Sequence, residues 1–82
     1  MNLKGNYEDL ARAIVVQAVD DWKDIKRSLR RLRGNTAKDK NRRAELLRQL
    51  EEVEGFFRSD WFTTLTGMDG GPILRRMQEE LL

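Results

Sequence analysis

The 82-residue chain contains no cysteine and no histidine. The first absence rules out a disulfide framework and a thiol nucleophile, and the two together remove the usual zinc ligand sets. A single proline leaves little to interrupt helices. Long hydrophobic runs are missing as well. The most apolar, Ala13 to Val19, is broken by Gln17 and is far shorter than the roughly 20 residues a membrane span needs. Glu8 and Asp9 precede it, whereas a secretory signal begins with basic residues, so a cytoplasmic location is expected. The length leaves room for one domain, residues 1–82, with a modest core.

Charge is what the chain has in plenty, at 37% of residues against the usual quarter. With Leu, Arg, Glu, Ala and Lys abundant, the composition favours helix. From Asn6 the apolar positions Tyr7, Leu10, Ala11, Ile14, Val15, Ala18, Trp22, Ile25, Leu29 and Leu32 recur at steps of three and four, which predicts one long amphipathic helix. Asn6 is the natural N-cap, with Glu8 and Asp9 in the first turn, and Gly34-Asn35 ends the helix. Thr36-x-x-Asp39 resembles a capping box with aspartate in the glutamate place, opening a second helix near Ala37. Its apolar stripe is Leu46, Leu47, Leu50, Val53 and Phe57, with Phe56 beside it. A very short connection makes the two helices antiparallel neighbours.

Four of the six aromatic residues fall within Phe56 to Phe62. Ser59-Asp60 is a helix-start signal, Gly67 a stop, and Met68 the residue that packs back across such a stop. Asp69-Gly70-Gly71-Pro72 starts another helix, with proline at its first position and Ile73, Leu74, Met77 and Leu81 turned inward. The expected architecture is all-α: a long hairpin, Asn6 to Gly34 and Ala37 to Phe57, with two short helices packed on its base. The first stripe runs about seven turns and the second helix about five. The uncovered end is closed either by a homodimer or, within the monomer, by the short aromatic helix. Phe57, Phe62, Leu65 and Trp22 are core candidates in so small a chain.

The segments Asn6-Tyr7-x-x-Leu10-Ala11-x-Ala13-Ile14-x-x-Gln17-Ala18-Val19, Phe56-Phe57-Arg58-Ser59-Asp60-Trp61-Phe62 and Asp69-Gly70 resemble a family of small proteins carried by prophages and integrative elements of Gram-positive bacteria. The likeness spans nearly the whole chain and leaves its middle unmatched. In that setting, proteins that bind and block a host defence complex, anti-CRISPR proteins among them, are the comparison class. The resemblance implies a genomic setting rather than a reaction; by analogy with that class, the expected partner is a host protein or nucleoprotein complex inside a bacterial cell.

Charge is segregated along the chain. Residues 26–48 carry Lys26, Arg27, Arg30, Arg31, Arg33, Lys38, Lys40, Arg42, Arg43 and Arg48 against Asp39 and Glu45, a net of +8. Residues 1–25 sum to −2 and residues 49–82 to −4. In a hairpin the basic segment is the tip. Cations at the end of the first helix answer its negative dipole end, but Lys38, Lys40, Arg42 and Arg43 stand at the positive end of the second. Lys26 with Arg30 and Arg27 with Arg31 are like-charge pairs at helical spacing, each unfavourable by a few tenths of a kcal/mol. A surface kept against these costs points to an anionic partner, either nucleic acid or an acidic protein; the alternative is a solvated face. A helix-turn-helix of the right proportions is not visible, so sequence-specific regulation is the weaker form. Trp61, between Asp60 and Phe62 and near Arg58, divides between core and binding hot spot.

Catalytic chemistry has few candidates. Ser59 has no histidine to activate it, and Glu51, Glu52 and Glu54 read as a solvated helix face. Asp20, Asp21 and Asp24 could meet a metal only with ligands from elsewhere, and two of them are offered ordinary ion pairs, Asp20 with Lys23 and Asp24 with Arg27. Asp69-Gly70-Gly71 lacks the spacing of a calcium or phosphate loop. The expectation is a non-enzymatic interaction protein without cofactor or metal. The partner-binding residues are the basic ones from Lys26 to Arg43, with Trp61. A nucleic-acid-binding accessory or regulatory protein is the second reading.

Overall fold

The three-and-four spacing of the first segment folds as predicted. A computed structural model describes the backbone of residues 3–80 and the side chains of residues 7–80. In it α1 spans Leu3–Arg31, α2 Ala37–Arg58, α3 Asp60–Thr66 and α4 Gly70–Glu80, with no strand among the described residues. α1 is about 43 Å long at 1.5 Å per residue. It opens earlier than expected, so Asn6 lies inside its first turn rather than capping it, and Glu8 and Asp9 fall beyond that turn. Extending an existing helix escapes the nucleation cost, which lets it run through Gly5 and Asn6.

At the other end α1 stops at Arg31 instead of Gly34. Leu32 donates its N–H to the Leu29 carbonyl (3.3 Å), the tighter three-residue bond that closes many helices. A five-residue loop, 32–36, leads to α2. Thr36 caps it: its hydroxyl accepts from the Asp39 N–H (3.2 Å) and donates to the Asp39 carboxylate (2.8 Å). Thr36 is therefore the N-cap, but Asp39 meets its hydroxyl rather than its backbone N–H, so the reciprocal half of the predicted box does not form among the described hydrogen bonds.

Ser59 both ends α2 and begins α3. Its N–H and its hydroxyl donate to the Phe56 carbonyl (3.2 and 2.6 Å), while the same hydroxyl oxygen accepts from the Phe62 N–H (3.2 Å). One residue thus satisfies groups left over from two helix ends and turns the chain sharply. α3 closes on Gly67, at φ +71°, whose N–H donates to the Thr63 carbonyl (2.8 Å). Met68 does not fold back across this cap and is 53% exposed; the Thr66 hydroxyl holds its N–H instead (3.0 Å). Asp69 caps α4 by accepting from the Gly71 N–H (3.0 Å). Pro72 therefore occupies the third helical position, still within the turn where a missing N–H costs nothing.

α1 and α2 pack as the hairpin, and α3 and α4 pack at its base, opposite the 32–36 loop. The main core joins Trp22, Phe57, Phe62, Leu74 and Met77, with Val15, Ala18, Val19, Leu50, Val53, Phe56 and Ile73 around it. Phe56 meets Phe57 and Phe62 edge-on, with centroids 5.7 and 5.4 Å apart. Leu65 and Leu46 are buried too, but Leu47 is 50% exposed. It lies two turns tipward of Glu54, where Gln78 already stands near the described end of α4. α3 covers α1 around Ala11, which is buried, while Tyr7 and Leu10 stay exposed. Leu81, expected to point inward, lies outside the described residues.

The molecule measures 54 × 25 × 20 Å, with a radius of gyration of 15.3 Å. A compact domain of this length would have about 12 Å. The excess reflects the length of the hairpin, whose tip lies beyond the aromatic core. No described helix is long and apolar enough to cross a membrane.

Candidate anion-binding surface at the hairpin tip

The ten basic residues of 26–48 divide into two groups. Four are engaged within the fold. Lys26 is half-buried, its ammonium 5.7 Å from the Trp22 ring centroid. Arg27 pairs with Asp24 (3.2 Å). Arg48 bridges Glu45 and Glu52. Arg43, also half-buried, donates through Nη2 to the carbonyls of Gly34 (3.3 Å) and, more weakly, Leu32 (3.5 Å). Its guanidinium thereby fastens the loop where α1 has run out of internal hydrogen-bond partners. Arg43 was grouped with the partner-binding cations on sequence alone; its visible work is to hold the tip together.

The other six, Arg30, Arg31, Arg33, Lys38, Lys40 and Arg42, are exposed, and none forms an ion pair among the described residues. They come from the last turn of α1, the loop and the first turns of α2, so the antiparallel hairpin gathers them at one end of the rod. Arg30 and Arg31 suit the negative end of the α1 dipole, but Lys38, Lys40 and Arg42 oppose that of α2. The result is a cap of positive charge at the end of the rod, spread over two helix ends and a loop, a form that fits an extended anionic surface better than a small ligand.

Trp61 does not join them. It is 57% exposed at the base of the hairpin, on the wall of an open groove of about 540 Å³ lined also by Ala13, Ile14, Gln17, Ala18, Asp21, Glu52, Val53 and Phe56. These α1 positions precede Arg30 by 9 to 17 residues, about 14 to 26 Å along the helix. Tip and groove are two separate surfaces.

Of the expected acidic pairs, Asp24–Arg27 forms and Asp20–Lys23 does not; Asp21 instead accepts from Gln17 (2.9 Å). Glu54, assigned by sequence to a solvated face, is half-buried and accepts from Trp22 Nε1 (2.9 Å) and Gln78 Nε2 (3.1 Å). No local pattern announces a partner 32 residues away.

Hydrogen bonds from Arg48 and then Gln49 hold the Glu45 carboxyl below its usual value. A depressed carboxylate contributes stability that is present above its unfolded value and lost as pH falls through the folded one. Carbon-detected NMR titration is expected to place the Glu45 midpoint below the ordinary glutamate value, and Arg48→Ala should return it toward that value. No protein-family model matches the chain, and neither the curated proteins nor the solved structures include a match to it.

Proposed function

We propose that this chain is a non-enzymatic interaction protein that sets its basic hairpin tip on the phosphate backbone of a nucleoprotein complex. In the mobile-element setting, it inhibits or modulates that complex in the host cell. The observation that carries the reading is the gathering of six exposed, unpaired cations at one end of an elongated rod. Phosphate neutralisation needs arginine and lysine free to release counterions, and cations already spent on internal pairs contribute less. The projecting tip lets the charge reach a groove or channel that a compact domain of this mass would meet only with its flank. The second reading, a nucleic-acid-binding accessory or regulatory protein, draws on the same cations. Pull-down from host lysate crosslinked before nuclease digestion separates the two, since only the first then retains a specific protein partner.

The direct test is fluorescence anisotropy with a 20-base-pair DNA duplex over a salt series. Six phosphate contacts give a slope of log affinity against log salt of about −5, a loss of roughly a thousandfold between 50 and 200 mM. The variant Arg30→Glu/Arg31→Glu/Lys38→Glu/Arg42→Glu should abolish binding with its melting temperature retained, because these side chains leave the core untouched. Arg43 must be spared, since reversing it would release the loop carbonyls it holds. Unchanged affinity and an unchanged salt slope in that variant would reduce the tip to a solvated face.

A further inference from the structure

The hairpin has two sides, and only one is filled. At about 100° per residue along α1, Val15, Val19 and Trp22 face α3 and α4, packing with Phe62, Leu74 and Met77. Ile14, Gln17 and Asp21 fall on the other side, across from Glu52, Val53 and Phe56 of α2, and line the groove that Trp61 walls. A second depression shares Asp21, Glu52 and Val53 with it and continues tipward past Asp24 and Gln49. Leu10, 59% exposed, stands one turn before Ile14 in the same phase. Together these make a trough between two antiparallel helices, apolar along Leu10, Ile14, Val53 and Phe56 and acidic at Asp21, which has no cation partner among the described residues, and at Glu52, which shares Arg48 with Glu45; Asp24 is already answered by Arg27.

The filled side shows what this hairpin accepts. There an 11-residue helix, α4, inserts Leu74 and Met77 and reaches Glu54 through Gln78. The open side offers Ala13 and Ala18, small residues that let another backbone come close, and carboxylates in place of a glutamine contact. We infer that the open trough binds an amphipathic helix of a partner protein. Its apolar side chains at i, i+3 or i+4 and i+7 seat on Ile14, Val53 and Phe56 against Trp61, and its flanking lysines or arginines face Asp21 and the charge that Arg48, shared between Glu45 and Glu52, leaves unanswered.

Charge disfavours a second copy as occupant. Two chains apposed through this trough would bring the row of Asp21 and Glu52 against its own equivalent, like charge on like. The basic tip of a second copy supplies cations, but its Leu29 and Leu32 are half-buried and give the trough floor nothing to bury. The inference does not rest on the tip's nucleic-acid contacts, and the variants below leave the tip intact.

The two tryptophans make the test direct, because Trp22 is sealed in the core and Trp61 stands on the trough wall. The probe is an 18-residue leucine/lysine peptide with leucines at helical spacing, titrated while Trp61 emission and its quenching by iodide are followed. A blue shift with loss of quenching is expected, and a scrambled peptide of the same composition should bind at least tenfold more weakly. Ala13→Trp, at an exposed position, fills the trough mouth and should weaken binding at least tenfold, read for this variant by anisotropy of a fluorescein-labelled peptide because it adds an indole. Asp21→Lys/Glu52→Lys should reject the leucine/lysine peptide and accept a leucine/glutamate one. Melting curves establish that each variant is folded, and either alone decides the matter if the other is not. Equal binding of the scrambled peptide, indifference to Ala13→Trp, or no exchange of preference in the charge-reversed variant overturns the inference. A dimer in sedimentation equilibrium that Ala13→Trp dissolves would do so as well, by giving the trough to a second copy.

Discussion

Replacing Gly70 by alanine is expected to destabilise the protein by about 3 kcal/mol, at the upper end of what one added methyl costs in a packed site. Gly70 is buried at the start of α4, where the helix crosses the end of α2. A Cβ there would collide with the Phe57 carbonyl oxygen, and would stand 2.7 Å from the carbonyl carbon and 2.8 Å from Phe62 Cδ1. Backbone cannot swing aside as a long side chain can, so relief requires α4 to lift off the core that Leu74 and Met77 close. A domain of this size is stable by roughly 4 to 12 kcal/mol in all, so the loss is a large share. Two other glycines provide the controls. Gly55, exposed in the last turn of α2 with open space where its Cβ would go, should gain about 0.5 kcal/mol as alanine. Gly67, at φ +71° with the same open space, should lose about 1 kcal/mol from backbone strain alone. Urea denaturation followed by circular dichroism ranks the three. A Gly70→Ala variant no weaker than Gly67→Ala would show that α4 is not held at that close approach.

These glycines mark what the sequence makes legible. Gly67 was readable as a helix stop because a left-handed cap is a local requirement, and Ser59, Thr36 and Asp69 were readable as starts for the same reason: their hydroxyl or carboxylate oxygens serve N–H groups two or three residues on. The long stripe of α1 and the burial of Trp22, Phe57 and Phe62 follow from period and size. Gly70 looked like part of a start signal, and its contact with Phe57, 13 residues back, is tertiary. Arg43 looked like one more free cation, because its partners are backbone carbonyls across a loop that carry no sequence signature. α1's end was misplaced for that reason too. The trough beside Trp61 leaves no trace in the sequence because a groove is made by two helices at once, and Ala13, Ala18 and Glu52 are unremarkable on either alone. The charge segregation was visible by counting, whereas which cations remain free depended on the fold.

Trp22→Ala is expected to leave the chain largely unfolded at room temperature. Trp22 is fully buried at the centre of the core, and truncating such a side chain costs about 3–5 kcal/mol in transfer and cavity terms. A second cost adds to it, since the indole N–H is one of two donors to Glu54 and its loss leaves a half-buried carboxylate with Gln78 alone. Trp22→Phe separates the two contributions by keeping most of the ring and removing only the N–H. It should cost about 2 kcal/mol, of which about 1–2 is the unmet need of the carboxylate. Glu54→Met makes the opposite cut, stranding the indole and Gln78 donors beneath a side chain that packs but accepts poorly. When both partners are replaced, neither polar group is left wanting, so Trp22→Phe/Glu54→Met should be more stable than the sum of its parts by about 1–2 kcal/mol. Midpoints of urea unfolding for the four proteins of this cycle measure the coupling. Additive costs would mean that Glu54 finds its hydrogen bonds in water, and that the link joining α1, α2 and α4 through one carboxylate contributes no stability beyond the packing of the rings around it.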